Sequence, residues 1–315
     1  MGFIEPKKPS AEMRRKQHNP NRNEKYFVRR KPNKLRNAFK KVIAASDRQF
    51  IAPTLIFGAL AYAGPVTWTK PTEAMFKKVA MMGDGYNTKG ISIPVNIDMK
   101  VKDQMIKPPV ELVKEANRKS SYRVIMNECA CRHIEKCKDY PLDIGCMFLG
   151  KGAKAAVEHK SGREATVEEA LEHVDKAIAA GLAIGTYFVE LEEYCWGFQD
   201  EDIPDFIAFC FCCPCCCHEI KFEKMARGEL KHILFQSSGW SVEPIAYKCI
   251  GCGECVKACP RGQLKLEKGR ITVGEFCPGC GYCLKACKQG ALHIVKTGET
   301  KDNLYDYFEK TGGKW

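Results

Sequence analysis

Two twelve-residue stretches, CIGCGECVKACP at residues 249–260 and CPGCGYCLKACK at 277–288, repeat one pattern at an offset of 28 residues. Each carries four cysteines in the spacing C-x2-C-x2-C-x3-C, and the internal glycines and a Lys-Ala pair recur in register. Cysteines at such intervals indicate metal or cluster binding rather than disulfide pairing. A four-cysteine zinc ribbon has two CxxC pairs a dozen or more residues apart, so zinc is disfavoured in this part of the chain.

The spacing is that of bacterial-type 4Fe–4S ligation, in which the fourth cysteine of a run ligates the other cluster. The predicted ligands of cluster I are Cys249, Cys252, Cys255 and Cys287. Those of cluster II are Cys277, Cys280, Cys283 and Cys259. The glycines between them are expected to let backbone N–H groups approach the sulfurs, and such hydrogen bonds raise the reduction potential.

These runs resemble the bacterial dicluster ferredoxin family over about residues 242–297. The resemblance implies two short hairpins and two helical turns in pseudo-twofold symmetry, holding two clusters that move single electrons. One departure is visible, because Pro260 follows the last cysteine of the first run whereas Lys288 occupies the equivalent place in the second. A lysine beside cluster II would favour the reduced, more negative form of that cluster.

A second set of ten cysteines precedes this module. Four follow the pattern C-x-C-x5-C-x8-C, namely Cys129, Cys131, Cys137 and Cys146. The stretch CFCCPCCC supplies the other six, namely Cys210, Cys212, Cys213, Cys215, Cys216 and Cys217. Soft thiolates in such numbers select iron–sulfur clusters or zinc. Because adjacent cysteines are not expected to serve one metal together, only some of each run should ligate. Eight of the ten cysteines would hold two further 4Fe–4S clusters, and four would hold one. The spacing leaves both alternatives open.

Three neighbours of these cysteines are candidates for supporting roles. Arg132 and His133 flank Cys131 and are expected to donate hydrogen bonds to a cluster or to bind an anionic substrate, while His218 follows the second run. Both histidines are expected beside the metal or at the surface rather than as ligands. The lone Cys195 is expected to be a buried structural thiol.

Helix and strand signals surround these cysteines. A helix is predicted from Pro108-Pro109 to about Lys119, and a strand over residues 122–126. Thr166-Val167-Glu168-Glu169 is a capping box that starts a helix ending near Gly181, and a strand is predicted over residues 182–191. This middle region therefore resembles the cysteine-rich domain found beside a ferredoxin module in some iron–sulfur proteins of anaerobes. The predicted class is α+β, with a small dicluster ferredoxin domain C-terminal to it.

The N-terminal part has a different composition. Residues 1–48 hold fifteen Lys or Arg against four Asp or Glu, a net charge of +11 out of +12 for the whole chain. This composition indicates a solvated, unstructured arm that binds an anionic membrane surface or an acidic partner, or that only aids solubility. No DNA- or RNA-binding motif accompanies it, so nucleic acid is not expected as a partner.

The uncharged run FIAPTLIFGALAYAGPV, residues 50–66, is at the short limit for a membrane span and contains two prolines and two glycines. This run has three possible interpretations: a short span or membrane-dipping anchor, a buried segment, or a signal peptide. Peripheral association with the cytoplasmic face of a membrane is favoured over a span, because the positive-inside rule would place a spanning protein's clusters outside.

The predicted domains are an arm at 1–48, an apolar segment at 49–67, a cysteine-rich α+β domain at 68–240, a dicluster ferredoxin domain at 241–297 and a tail at 298–315. The predicted function is electron transfer in an anaerobic redox complex, with one or two further clusters in the middle domain and a redox protein as partner. The alternative is an iron–sulfur reductase with a substrate-binding cluster there. A carrier or oxidoreductase subunit is favoured over a stand-alone enzyme, because no acid–base constellation accompanies the cysteines.

Overall fold

The computed structural model describes residues 33–46, 65, 68–72, 74–75, 89–93, 109–188, 192–202, 206–227, 235–236 and 239–297. Its α-helices are α1 (Lys34–Ser46), α2 (Pro109–Lys119), α3 (Ala130–Ile134), α4 (Lys154–Glu158), α5 (Val167–Ala179), α6 (Glu192–Trp196), α7 (His218–Met225), α8 (Glu254–Lys257) and α9 (Tyr282–Ala286). Its strands are β1 (Lys89–Ile93), β2 (Arg123–Met126), β3 (Met147–Leu149), β4 (Gly162–Glu164), β5 (Ala183–Phe188), β6 (Ile207–Cys212), β7 (Phe235–Gln236), β8 (Trp240–Pro244), β9 (Leu264–Glu267), β10 (Arg270–Val273) and β11 (Leu292–Lys296).

Strands β1–β7 form one sheet in the order β4-β2-β3-β6-β5-β1-β7. All neighbours are antiparallel except β1 and β7. Helices α2 and α5 contribute Val113 and Val174, both fully buried, to a core that also contains Phe209 of β6. The mixture of helices and a largely antiparallel sheet confirms the predicted α+β class for the cysteine-rich region.

Helix α5 begins and ends where the sequence predicts. The Thr166 hydroxyl accepts a hydrogen bond from the Glu169 N–H at 3.2 Å, and the Glu169 carboxylate accepts one from the Thr166 N–H at 2.9 Å. This reciprocal capping box satisfies two N–H groups that have no partner within the helix. At the other end Gly181 has a φ of +77°, a conformation that glycine adopts without a steric penalty.

Strand β6 separates two environments because successive side chains of a strand point to opposite faces. Ile207, Phe209 and Phe211 belong to the core beneath α2 and α5. Ala208 packs in a second core on the other face, with the aromatic side chains of Phe148 and Trp196. Cys210 and Cys212 share the face of Ala208 by this alternation, so the strand directs both thiols away from the main core.

Helix α1 corrects the expectation of an unstructured arm over residues 1–48, which is wrong for residues 34–46. The helix packs through a polar face, where Lys40 is fully buried and its ammonium pairs with Glu193 and, at 2.7 Å, with Asp200. Arg36 donates to the same Asp200 carboxylate at 3.0 Å. Because these ion pairs are made with residues 153 to 164 positions away, local composition did not indicate that the helix would be held in place.

Other N-terminal and C-terminal predictions fall largely outside the described residues. They concern residues 1–32, the apolar run at 50–66 apart from residue 65, and the tail at 298–315. Within the part of the chain that the structure describes, no helix is both long and apolar enough to cross a membrane.

Candidate iron–sulfur and metal centres

The two cysteine runs of the C-terminal module fold into matching loops. Gly251 and Gly279 have φ values of +69° and +68°, and in each loop a short helix, α8 or α9, follows a second glycine with positive φ. After the helix, the Cys259 and Cys287 sulfurs each accept a backbone N–H at 3.3 Å, from the residue four positions further on. These N–H groups stabilise negative charge on sulfur, as a cluster ligand requires.

The loops lie between two small antiparallel ladders, β9 with β10 and β8 with β11. Cys255, Cys277 and Cys283 are buried in a core with Val242 and Leu292. The predicted ligand sets of the two clusters differ in exposure, since Cys252 of cluster I is exposed while Cys277, Cys280 and Cys283 of cluster II are all buried. Cluster II would therefore lie inside the protein and cluster I near its surface.

Ten of the eleven cysteines of the middle region, all except Cys195, form an outer group of four and an inner group of six. The outer group is Cys137, Cys213, Cys215 and Cys216, whose sulfurs all lie within 4.8 Å of one another. The inner group is Cys129, Cys131, Cys146, Cys210, Cys212 and Cys217, which all line one cavity, and Cys213 of the outer group lines it as well. The outer group contains the neighbours Cys215 and Cys216, contrary to the expectation that adjacent cysteines are kept apart.

We call this cavity the chamber, and the six sulfurs of the inner group the chamber thiols. Its empty volume is about 590 Å³, including space open to solvent. The thiols come from the start of α3, the start of β3, the end of β6 and the start of α7. Direct contacts link Cys129 to Cys131 and Cys146, and link Cys217 to Cys131 and Cys212.

The chamber sulfurs differ in acidity. Contacts with Cys131 and Cys146 hold the pKa of Cys129 well below its ordinary value, and contacts with Cys131 and Cys212 do the same for the pKa of Cys217. Burial raises the pKa of the Glu219 carboxyl, which also lines the chamber, to about 8. Because thiolates are the form that binds metal, sulfur contacts that favour ionisation suit Cys129 and Cys217 to ligation.

Arg132 provides the charge that such a site needs. Its side chain is 1 % exposed and lies in the chamber wall, where it donates to the Phe211 carbonyl at 2.8 Å and to the Ile144 carbonyl. Burial lowers the pKa of Arg132, but the negative charges of the Cys129 and Cys213 thiolates raise it by more. The pKa of Arg132 therefore lies above its ordinary value. Arg132 thus remains a cation between the two thiol groups.

The remaining predicted neighbours lie elsewhere. His133 is on the surface, where it pairs with Glu128 at 2.9 Å, and His218 is buried against Glu135 at 3.0 Å. Neither is among the residues that line the chamber. Cys195 is 4 % exposed and packs in the second core, as predicted for a structural thiol. His173 is likewise in the core, 2.8 Å from the Gly145 carbonyl.

Two residues that the sequence did not single out connect the chamber to the module. The Tyr282 hydroxyl donates to the Cys212 carbonyl at 2.7 Å and accepts from the Ala183 N–H at 3.0 Å. Arg261 is buried in an ion pair with Glu223 and interacts electrostatically with Cys212, Cys217 and Cys280. The sequence carried one signal for Tyr282. It stands where the first run has Glu254, so the repeat differs at that position.

Comparison with known proteins agrees for the C-terminal module. Residues 242–288 match a family model described as a 4Fe-4S dicluster domain. No curated protein and no solved structure matches the chain. The module is therefore a 4Fe–4S dicluster domain, which implies two 4Fe–4S clusters, and the cysteines of the middle region are available for more.

Proposed function

We propose that the protein is an electron carrier of an anaerobic redox complex. Its C-terminal module holds clusters I and II with the ligand sets predicted above, in the pseudo-twofold arrangement that the matching loops support. Four of the six chamber thiols hold a further 4Fe–4S cluster. The observation that carries the proposal is the contact of Tyr282 with Cys212, because Tyr282 is adjacent to Cys283, a predicted ligand of cluster II.

The route follows from burial. The chamber adjoins the buried cluster II through Tyr282 and Arg261, while cluster I lies beyond it beside the exposed Cys252. Tyr247 and Ile250, at 87 % and 68 % exposure, surround that end of the module. Electrons would pass between the chamber and cluster II, then to cluster I, and exchange with a redox protein at the Tyr247 and Ile250 surface.

Iron analysis with EPR spectroscopy of anaerobically purified protein tests this order. Two clusters require about eight irons per chain and a chamber cluster brings the total to about twelve. Cys129→Ser should remove about four irons and leave the EPR signals of the module unchanged. A total near eight in the unaltered protein would leave the chamber empty and contradict the route.

A reductase remains the second candidate, and one observation favours it. The chamber offers two thiols more than one cube uses, beside Arg132 and the apolar walls of Phe148 and Trp196. A substrate bound there would alter the EPR signal of the chamber cluster while the module signals stay the same. A broad panel of small anions and thiols that leaves every signal unchanged would reject a substrate site.

We further propose that α1 attaches the protein to the cytoplasmic face of an anionic membrane. With its polar face packed on the body, α1 turns Leu35, Phe39 and Val42 outward at 82 %, 57 % and 64 % exposure. This apolar stripe lies between a strongly basic segment and the apolar run at 50–66. Basic charge and an exposed apolar helix face together are what an anionic lipid surface binds.

Vesicle sedimentation measures this attachment. Replacing Leu35, Phe39 and Val42 by Gln should weaken binding to phosphatidylserine-containing vesicles by at least about tenfold, the equivalent of 1.4 kcal/mol. The matched control replaces exposed apolar residues of the module, Ile250 and Leu266, and should bind as the unaltered protein does. Equal binding to neutral vesicles, or no effect of the α1 changes, would contradict the proposal.

A further inference from the structure

The outer group of thiols is packed more tightly than the ligands of a 4Fe–4S cluster. The Cys137 and Cys215 sulfurs are 3.8 Å apart, and those of Cys215 and Cys216 are 3.5 Å apart. A single tetrahedral ion with metal–sulfur bonds of about 2.3 Å has sulfurs about 3.8 Å apart. A four-iron cube separates its thiolates further, because each thiolate binds a different iron.

The eight thiols of the dicluster module provide an internal standard for this comparison. All eight are among the described residues. Among the described residues, one group of three or more Cys, His, Asp or Glu ligand atoms lies within 4.8 Å of one another. That group is the outer group. The cube ligands of the same protein are therefore spread more widely than the outer group.

One member of the outer group is prepared for negative charge on sulfur. The Cys213 sulfur accepts the Cys216 N–H at 3.3 Å. Cys213 and Cys216 are buried in the main core, whereas Cys137 is half-buried and Cys215 is exposed, so the group is open to solvent on the side of Cys137 and Cys215.

We propose that Cys137, Cys213, Cys215 and Cys216 bind one tetrahedral divalent metal ion, zinc or ferrous iron, in place of a further cluster. Tetrahedral four-thiolate sites are characteristic of zinc and iron. The ion joins the loop after α3 to the turn between β6 and α7. That turn has Cys212 at one end and Cys217 at the other, so the ion fixes the positions of two chamber thiols. The ion can bind at this site whether or not the chamber holds a cluster.

Metal analysis and X-ray absorption of the anaerobically purified full chain test the site. The expected result is one zinc or one mononuclear iron per chain, with four sulfurs at about 2.3 Å. Cys137→Ser and Cys215→Ser should each remove that one ion, and zinc and iron contents distinguish the two metals. Cys215 is exposed, so its replacement leaves the core intact. Cys195→Ala, which changes a thiol outside both groups, should retain the ion.

Two results would overturn the proposal. A loss of about four irons in either variant, with the EPR signals of the module and chamber retained, would mean that the outer group holds a cluster. An unchanged metal content in both variants would mean that it holds nothing. The EPR signals of the module and chamber, recorded on the same samples, show separately whether the electron route exists.

Discussion

The dicluster module and the middle domain both gather cysteines, but they do so by different physical means. In the module, each half of the site is a single loop, and one internal repeat reproduces the same φ values and the same N–H to sulfur bonds 28 residues later. In the middle domain, thiols separated by up to 88 positions, from Cys129 to Cys217, meet because the sheet brings α3, β3, β6 and α7 together. A group of cysteines can thus be assembled by a local loop or by a whole domain.

The largest effect is expected from removing a ligand in the module. Cys283→Ser should remove cluster II, a loss of about four irons per chain together with one 4Fe–4S EPR signal. Because the module's loops are formed locally, the fold of the middle domain should persist, as measured by its resistance to proteolysis. If Cys283→Ser also abolished the chamber signal, the two regions would be less separate than the comparison implies.

Arg261 tests the boundary between the regions. It forms a buried ion pair with Glu223, with side-chain exposures of 1 % and 4 %. Arg261→Met leaves a buried carboxylate without its partner and should lower the free energy of unfolding by about 3–5 kcal/mol. The measurement is anaerobic denaturant unfolding. Arg261→Met combined with Glu223→Leu should recover most of the loss, and failure to recover would point to a direct role of Arg261 beside the thiols.

His173 should make the middle domain sensitive to pH. Burial lowers its pKa below the ordinary 6.5, so the unfolded chain binds the proton at a higher pH than the folded chain. Stability is therefore complete above pH 6.5 and decreases as the pH falls below it, by up to about 1.4 kcal/mol per pH unit. His173→Gln should remove this contribution from the slope, measured as midpoints of unfolding between pH 7 and 5. An unchanged slope would show that other groups are responsible.

Thr166 gives the smallest expected effect and addresses the middle domain alone. Thr166→Ala removes the helix cap and should cost about 1 kcal/mol, whereas Thr166→Ser keeps the hydroxyl and should cost little. In the Thr166→Ala variant, the chamber should lose its iron at a lower denaturant concentration than the module does. Equal retention by both regions would indicate that the chamber does not depend on the sheet.

The elements that the sequence predicted are those with local causes. The capping box of Thr166 and Glu169, the glycine after α5 and the strand near residues 122–126 were all found in place. The sequence did not predict that α1 packs on the body of the protein, because Arg36 and Lys40 bind the carboxylates of Glu193 and Asp200, which are far along the chain. Nothing in a basic, Asn- and Pro-rich segment reveals which distant carboxylates lie opposite it.

The sequence by itself determined the dicluster site, because thiols at fixed intervals on a short loop can reach only one cube and its neighbour. Only the tertiary structure decided how the ten cysteines of the second set divide. The residue alternation of β6 and the turn after it send Cys212 and Cys217 into the chamber and Cys216 to the outer group, while Cys213 contributes to both. The group to which a thiol belongs depends on the side of the sheet that the thiol faces. Packing across the whole domain fixes that side.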